Sequence, residues 1–405
     1  MDNNHTSSMP LARVPVCDRE FNVLAYELIA GATPQPQSSS LSEVITAVLT
    51  DPRVKGLLNG KPALLLTKAS VLAQLHQDLS FPLTDFWLMI AAEELHGLDL
   101  NLIKKLIKRG ARFGIQLSQL PMPELDENWS NQIAFFRAPI KVLQGRLQVE
   151  VIAPHWLSIA HGIDDATLFN QLQQLDIKAL QGRYLPRPEV AEIKRIPSNK
   201  LIALQILSLL GDVNVSLEEL ESLIVQDLQL YYKLLRFINS AYYNFNRKIN
   251  SIKEALIYLG LNTLRSITLV IALAESTTRS PDLFYLALTR AKMCEHLAIA
   301  SGWANESMYF NAGLISLLDV LLEIPMSMIL SELPLSSAIK NAVLHFEGRT
   351  GAALQCAINY ELVDWQKIED SQFEKEIAHT AYLEASRWAT ALQQSLIAAV
   401  ESQEC

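Results

Sequence analysis

Over about the first 185 residues the chain alternates two rhythms: short apolar runs of β character, and segments whose apolar positions recur at helical spacing. The strand candidates are 23–30 (VLAYELIA), 63–67 (ALLLT), 86–90 (FWLMI), 112–117 (RFGIQL), 133–138 (IAFFRA) and 146–153 (RLQVEVIA). In LNLIKKLIKRG, Leu100, Ile103, Leu106 and Ile107 share one helix face, and Gly110 ends it. Strand–helix alternation predicts a parallel sheet. Short apolar strands with helices outside them suit a (β/α) barrel better than a sandwich, although fewer than eight units are visible.

The stretch 181–200, QGRYLPRPEVAEIKRIPSNK, carries Pro186, Pro188 and Pro197 with mixed charge, and no periodic pattern crosses it. It marks a domain boundary. Beyond residue 200 the β signal stops. Ser216 with Glu219, and Ser251 with Glu254, fit the S-x-x-E pattern in which hydroxyl and carboxylate satisfy backbone donors at a helix start. The second of these helices is predicted to end at Gly260, with Asn262 capping the next (NTLRSITLVIALAE). GLISLLDVLLEIP is apolar nearly all round, which predicts a central helix of an all-α bundle stopped by Pro325. The predicted organisation is a disordered 1–9, a barrel domain over 10–188, a linker over 189–200 and a helical domain over 201–405 that includes a C-terminal helix.

Composition changes this picture little. A chain of 405 residues exceeds one ordinary core, and 50% hydrophobic with 19% charged residues supplies two packed ones. The formal charge of −9 disfavours nucleic acid as a main partner. The longest apolar run, 267–274, is far short of the ~20 residues of a membrane span. The start MDNNHTSSMP lacks the features of a secretory signal, so a cytoplasmic protein is expected. Cys17, Cys294, Cys356 and Cys405 are scattered without a CxxC, which argues for reduced thiols and against a zinc knuckle.

The segment NSAYYNFNRK, 239–248, is a predicted corner between VQDLQLYYKLLRFIN and SIKEALIYLG. Tyr242, Tyr243 and Phe245 each offer roughly 150 to 250 Å² for burial, so the loop is expected to fold back and pin adjacent helices, its amides meeting open backbone ends. The competing reading is a single-stranded nucleic-acid platform beside Arg247 and Lys248, which the overall charge disfavours.

The run from LEELESLIVQDLQLYYKLLRFINSAYYNFNRKINSIKEALIYLGLNTLRSI, with GLISLLDVLLEIPM and INYELVDW, resembles the HDOD domain, a helical relative of the HD-type metal phosphohydrolases. The motif positions so marked are Asp227, Asn239, Ser240, Tyr242, Tyr243, Gly260, Asp319 and Pro325. PVCDREFNVLAYELIAG and ALQGRYLPRP resemble the two ends of an EAL domain, the barrel whose active members hydrolyse cyclic di-GMP. Together the halves resemble bacterial signalling proteins that join an EAL domain to an HDOD domain.

That resemblance implies a test, because active EAL domains hold two divalent cations through Glu, Asn and Asp. Glu27 and Leu28 stand at the first family motif, Gln181 and Gly182 at the closing one, and Glu150 aligns with a later glutamate. ALLLTKASVL lacks the family asparagine, Met89 replaces a glutamate, and Ser118 and Gln119 replace a pair of aspartates. IAFFRAPI puts apolar residues where a lysine and an aspartate belong, and Gly31 replaces a phosphate-contacting arginine. In the helical half Ser316 and Leu317 stand in place of the His-Asp ligands, Asp319 follows, and His296 is the nearest histidine. Asp319, on an apolar helix, calls for a partner, for which Arg290 is the candidate.

The expectation is a degenerate EAL barrel and an HDOD domain with no catalytic residues, no metal and no cofactor. Such a protein acts through a regulatory protein partner such as a diguanylate cyclase, a kinase or a motility factor, and the C-terminal helix could pack within the chain or form a homodimer. The alternatives are a cyclic di-GMP phosphodiesterase built around Glu27 and Glu150, or a cyclic di-GMP receptor without turnover.

Overall fold

The computed structural model describes residues 11–30, 48, 50, 52–72, 83–119, 125–144, 155–172, 174–183, 205, 217–240, 243, 245–276, 280–333 and 335–401. Two compact units divide the chain: Met1–Leu185 with Asn359–Gln366, and Pro186–Ile358 with Lys367–Cys405.

In the first unit eight strands close a barrel in sequence order: β1 Leu11–Cys17, β2 Val23–Ala30, β3 Ala63–Thr67, β4 Phe86–Ala91, β5 Arg112–Gln116, β6 Phe135–Pro139, β7 Leu157–His161 and β8 Ala179–Gln181. From β2 to β8 all neighbours are parallel. The strands expected to form a parallel sheet do so, and β1, outside that set, runs antiparallel to both β2 and β8. A short β2 hairpin arm suffices here, since an antiparallel pair needs no crossover helix.

β1 was not among the sequence candidates because Arg13 and Pro15 interrupt it. The structure accommodates Arg13 by burying it with its guanidinium donating to the Leu57 carbonyl and 4.3 Å from the Tyr26 ring. The strands at 63–67, 86–90 and 112–117 appear within a residue of their predicted ends, whereas β6 begins at Phe135 rather than at 133. The candidate at 146–153 falls outside the described residues, as does 1–9.

Helices α1 Pro52–Leu58, α2 Leu100–Lys108, α3 Glu127–Ser130, α4 Ile140–Gln144 and α5 Ala166–Leu172 belong to this unit. α2 is capped by the Asp99 carboxylate, which accepts from the Asn101 N–H at 2.9 Å. It buries Leu102, Ile103 and Leu106, with Leu100 and Ile107 half-buried. The barrel's interior is filled by a cluster that includes Ala25, Leu64, Met89, Phe135, Ile159 and Ala179.

The second unit is helical throughout its described part: α6 Leu217–Gln226, α7 Leu228–Ile238, α8 Ile252–Leu259, α9 Leu261–Ser276, α10 Pro281–Ala300, α11 Glu306–Ile315, α12 Leu318–Leu322, α13 Met326–Glu332 and α14 Ser337–His345. α15 Gly348–Glu361 and α16 Trp365–Glu369 follow, residues 359–361 of the one and 365–366 of the other being counted in the first unit, and α17 Lys375–Glu401 ends the series. The Ser251 hydroxyl caps α8 by accepting from the Glu254 N–H at 3.1 Å, while Glu254 reaches back to the Asn250 N–H at 2.8 Å. Gly260 closes α8 with φ +75°, its N–H donating to Leu256 O at 2.8 Å. α9 then starts at Leu261, so Asn262 lies inside its first turn instead of capping it.

The apolar stretch GLISLLDVLLEIP was expected as one helix. It is two, α11 and α12, broken at Ser316 and Leu317. The Ser316 hydroxyl donates to Gly313 O at 2.7 Å, a local competition with the helix ladder that favours a break. α12 ends at Leu322, before Pro325, with Glu323 in the left-handed region, and Pro325 stands at the N-cap of α13, its carbonyl accepting from Met328 and Ile329.

Candidate functional site

Side chains two apart on a strand share a face. Glu27, Arg137, His161 and Gln181 each follow a barrel-core residue by two, after Ala25, Phe135, Ile159 and Ala179 respectively, so they face inward as the next layer. On parallel strands that layer lies at the C-terminal end, where (β/α) barrels carry their chemistry. Leu28, on the opposite face of β2, is buried apolar packing.

Arg137 organises the layer. Its Nη1 donates to Glu27 Oε2 at 2.7 Å and to Gln181 Oε1 at 2.9 Å, and its Nη2 donates to Gln116 Oε1 at 2.8 Å. Gln181 Nε2 closes a ring by donating to the same Glu27 oxygen at 2.8 Å. The Arg137 and Glu27 side chains are 6% and 13% exposed, so this is a buried charge pair with amides around it. His161, on the strand beside Gln181, is kept neutral: burial and then the Arg137 charge lower its pKa to about 4. Its Nε2 and the Arg137 Nε are buried with no hydrogen-bond partner among the described residues.

At the rim, the Ser118 hydroxyl donates to Glu93, and this hydrogen bond holds the Glu93 carboxyl below its usual range. Glu94 accepts from the Ala69 N–H at 2.6 Å, and Gln119 is exposed. Met89 is buried in the core. Gly182 is required by close approach, because a Cβ there would come 2.0 Å from the Ile163 carbonyl oxygen. Glu150 lies outside the described residues.

A divalent cation on Glu27 would have to displace a guanidinium that already neutralises it. Gln116, Gln181 and a histidine held neutral are the other neighbours, and among the described residues no three His, Cys, Asp or Glu side chains converge. This donor set does not fit a pair of dications bound through hard oxygen ligands. Glu27 and Gln181 are legible in the sequence as motif positions, whereas IAFFRAPI reads as apolar. Arg137, a lone cation in that strand, carries no motif signal in the sequence.

In the helical unit Asp227 caps α7, accepting from Gln229 N at 2.9 Å and Leu230 N at 3.1 Å. Asn239 fastens the following loop: its Nδ2 donates to Leu235 O and Ile249 O, and its Oδ1 accepts from Ile249 N, each at 2.7 Å. The Ser240 N–H donates to Phe237 O at 3.0 Å. Tyr243 stacks on Phe245 at 5.5 Å and meets Phe237 edge-on at 5.8 Å, while Phe245 packs on Tyr258 at 5.3 Å. Arg247 pairs with Glu254 at 2.7 Å and lies over Tyr258. The rings of this loop thus pack on one another and on α7 and α8, in keeping with a loop that pins helices. Tyr242 falls outside the described residues.

Asp319 is buried, its Oδ1 accepting from the Val320 N–H at 2.9 Å. Arg290, also buried, donates to the Ser316 hydroxyl at 3.0 Å. Half-buried His296 on α10 has its pKa lowered by burial and by Lys292. Residues 196–327 match the HDOD domain.

An HDOD domain therefore occupies the start of the helical region, after an eight-stranded closed barrel. Cyclic di-GMP phosphodiesterase CdgJ of Vibrio cholerae serotype O1 is 30% identical over 236 residues, which is 57% of this chain and 55% of that protein. The chain spans about half the length of the curated relatives it matches. Similar solved structures include the FimX EAL domain from Pseudomonas aeruginosa bound to c-di-GMP, 17% identical, TM-score 0.32, over 44% of this chain and 90% of that one. An HDOD domain protein from Geobacter sulfurreducens is 21% identical, TM-score 0.30, over 49% of this chain and 74% of that one. No helix among the described residues is long and apolar enough to cross a membrane.

Proposed function

We propose that this chain is a non-catalytic signalling protein that acts through protein–protein contacts in cyclic di-GMP-related or motility regulation. The observation that carries the reading is the Arg137 guanidinium seated on Glu27. It supplies the positive charge that a metal would bring, yet it cannot make a bound water nucleophilic. The barrel then serves as a docking or input module, and the HDOD domain presents its surface to a regulatory protein such as a diguanylate cyclase, a kinase or a motility factor.

The second reading is a cyclic di-GMP phosphodiesterase, or a receptor that binds without turnover, and the name of the Vibrio cholerae relative favours it. Incubation of the full chain with cyclic di-GMP and magnesium or manganese separates the two. The proposal expects no linear product. Metal-dependent hydrolysis abolished by Glu27→Ala would establish the enzyme, and saturable calorimetric binding without hydrolysis would establish the receptor.

A further inference from the structure

In the helical unit a cavity of about 150 Å³ lies between α9, α10, α11 and α17. Tyr243 from the aromatic corner lines it, with Phe310 and Trp388 as further aromatic walls. Phe310 meets Trp388 edge-on at 5.9 Å, so the two rings stand perpendicular. Aliphatic side chains of α9 and α17 complete the apolar lining.

One side of the space is polar. Lys292 and Glu295, both half-buried on α10, form an ion pair there, and the Lys292 ammonium lies 5.2 Å from the centre of the Trp388 ring. An ammonium carries three donors, and Glu295 takes one. The hydroxyls of Thr263, Ser266 and Ser307 also border the cavity, and among the described residues none of the three has a hydrogen-bond partner. Thr263 stands at the exposed rim, and Ser266 and Ser307 are half-buried. Aromatic walls facing a few placed polar groups are the usual composition of a small-molecule site.

From this we infer that the cavity is a binding site for a neutral heteroaromatic ring of pyrimidine size, with hydrogen-bond acceptors along one edge. Size sets the ring count, since about 150 Å³ accommodates one benzene-sized ring. The aromatic walls set the shape, because a flat ring finds both stacked and edge-on partners there. Polarity sets the edge: a hydrocarbon ring would leave the hydroxyls and the remaining ammonium protons unmet, whereas carbonyl or ring-nitrogen acceptors meet them. Charge sets neutrality. Lys292 is already balanced by Glu295, so an anion would confront the carboxylate and a cation the ammonium.

The inference is independent of the barrel and of any cyclic dinucleotide. Saturation-transfer NMR and calorimetry on the full chain, with uracil, cytosine and nicotinamide as probes and benzene as the apolar control, test it. Saturable binding of the heterocycles below about 1 mM, with benzene weaker, is expected. Lys292→Met is expected to weaken that binding about tenfold, the effect of one lost charge-assisted hydrogen bond. Ser266→Ala and Ser307→Ala, which remove only oxygen atoms, carry the test if Lys292→Met loses its fold. Absence of saturable binding by every heterocycle would overturn the assignment. So would benzene binding as tightly as uracil, or affinity indifferent to all three substitutions.

Discussion

Arg137 on β6 and Glu27 on β2 meet inside the barrel at 2.7 Å, joined by an amide from Gln181 on β8. Three strands are thereby tied by one charge pair. Removing a single partner leaves the other charge buried and uncompensated.

Arg137→Met should therefore destabilise the barrel by about 3 kcal/mol, and Glu27→Gln by a similar amount. The double variant Glu27→Gln with Arg137→Met should recover a large part of the sum. Urea unfolding of the four proteins measures the coupling. Losses that simply add, to within about 0.5 kcal/mol, would show that the pair does not act as a unit.

His161 predicts an acid sensitivity. Its pKa of about 4 in the folded barrel is below the ~6.5 of an unfolded chain, so on acidification the unfolded state takes up the proton first. The stability owed to neutral His161 is complete above pH ~6.5 and is lost as pH falls towards 4, by up to about 3 kcal/mol. His161→Gln should flatten that part of the profile. Equal losses between pH 7 and pH 5 in the variant and the native chain, followed by hydrogen exchange in β6 and β7, would refute the assignment.

Asn239→Ala removes three hydrogen bonds that tie the corner to α7 and to Ile249. A cost of about 2 to 3 kcal/mol to the helical unit is expected. Asn239→Asp keeps the acceptor for the Ile249 N–H and should cost less. Thermal melts rank the two, and faster exchange of the Ile249 amide should accompany both.

Burial pushes the Cys356 thiol up to about 12, and Cys17 and Cys294 are buried as well. At pH 8 roughly one Cys356 in 10⁴ is a thiolate, too few for appreciable alkylation of the native chain. Peptide mapping after iodoacetamide treatment should find these three cysteines modified only once the protein has been denatured. Modification of Cys356 under native conditions would contradict its burial.

Several features were readable from the residues because a local pattern was enough. ALLL and FWLMI are unbroken apolar runs, and S-x-x-E from Ser251 with Gly260 nine residues after that serine bounded α8 at both ends. β1, β7 and β8 were not, for different reasons. Pro15 and Arg13 hide the first, Ser158 and His161 dilute the second, and β8 has only three residues. Glu27 was visible as a carboxylate in a motif, but its partner was not: Arg137 is distant in sequence, and only barrel closure brings it across. The break at Ser316 was masked by the same uniform apolarity that revealed the helix.

β1 sits between β2 and β8, with Cys17 opposite Leu180, so the earliest strand to be made also seals the final seam. A nascent chain must wait for its own residues 179–181 before the sheet can shut. Until then it exposes two raw margins with free ladder groups, a template for pairing with other polypeptides. Translation that stalls before Ala179 should accordingly yield aggregates rather than a smaller folded product.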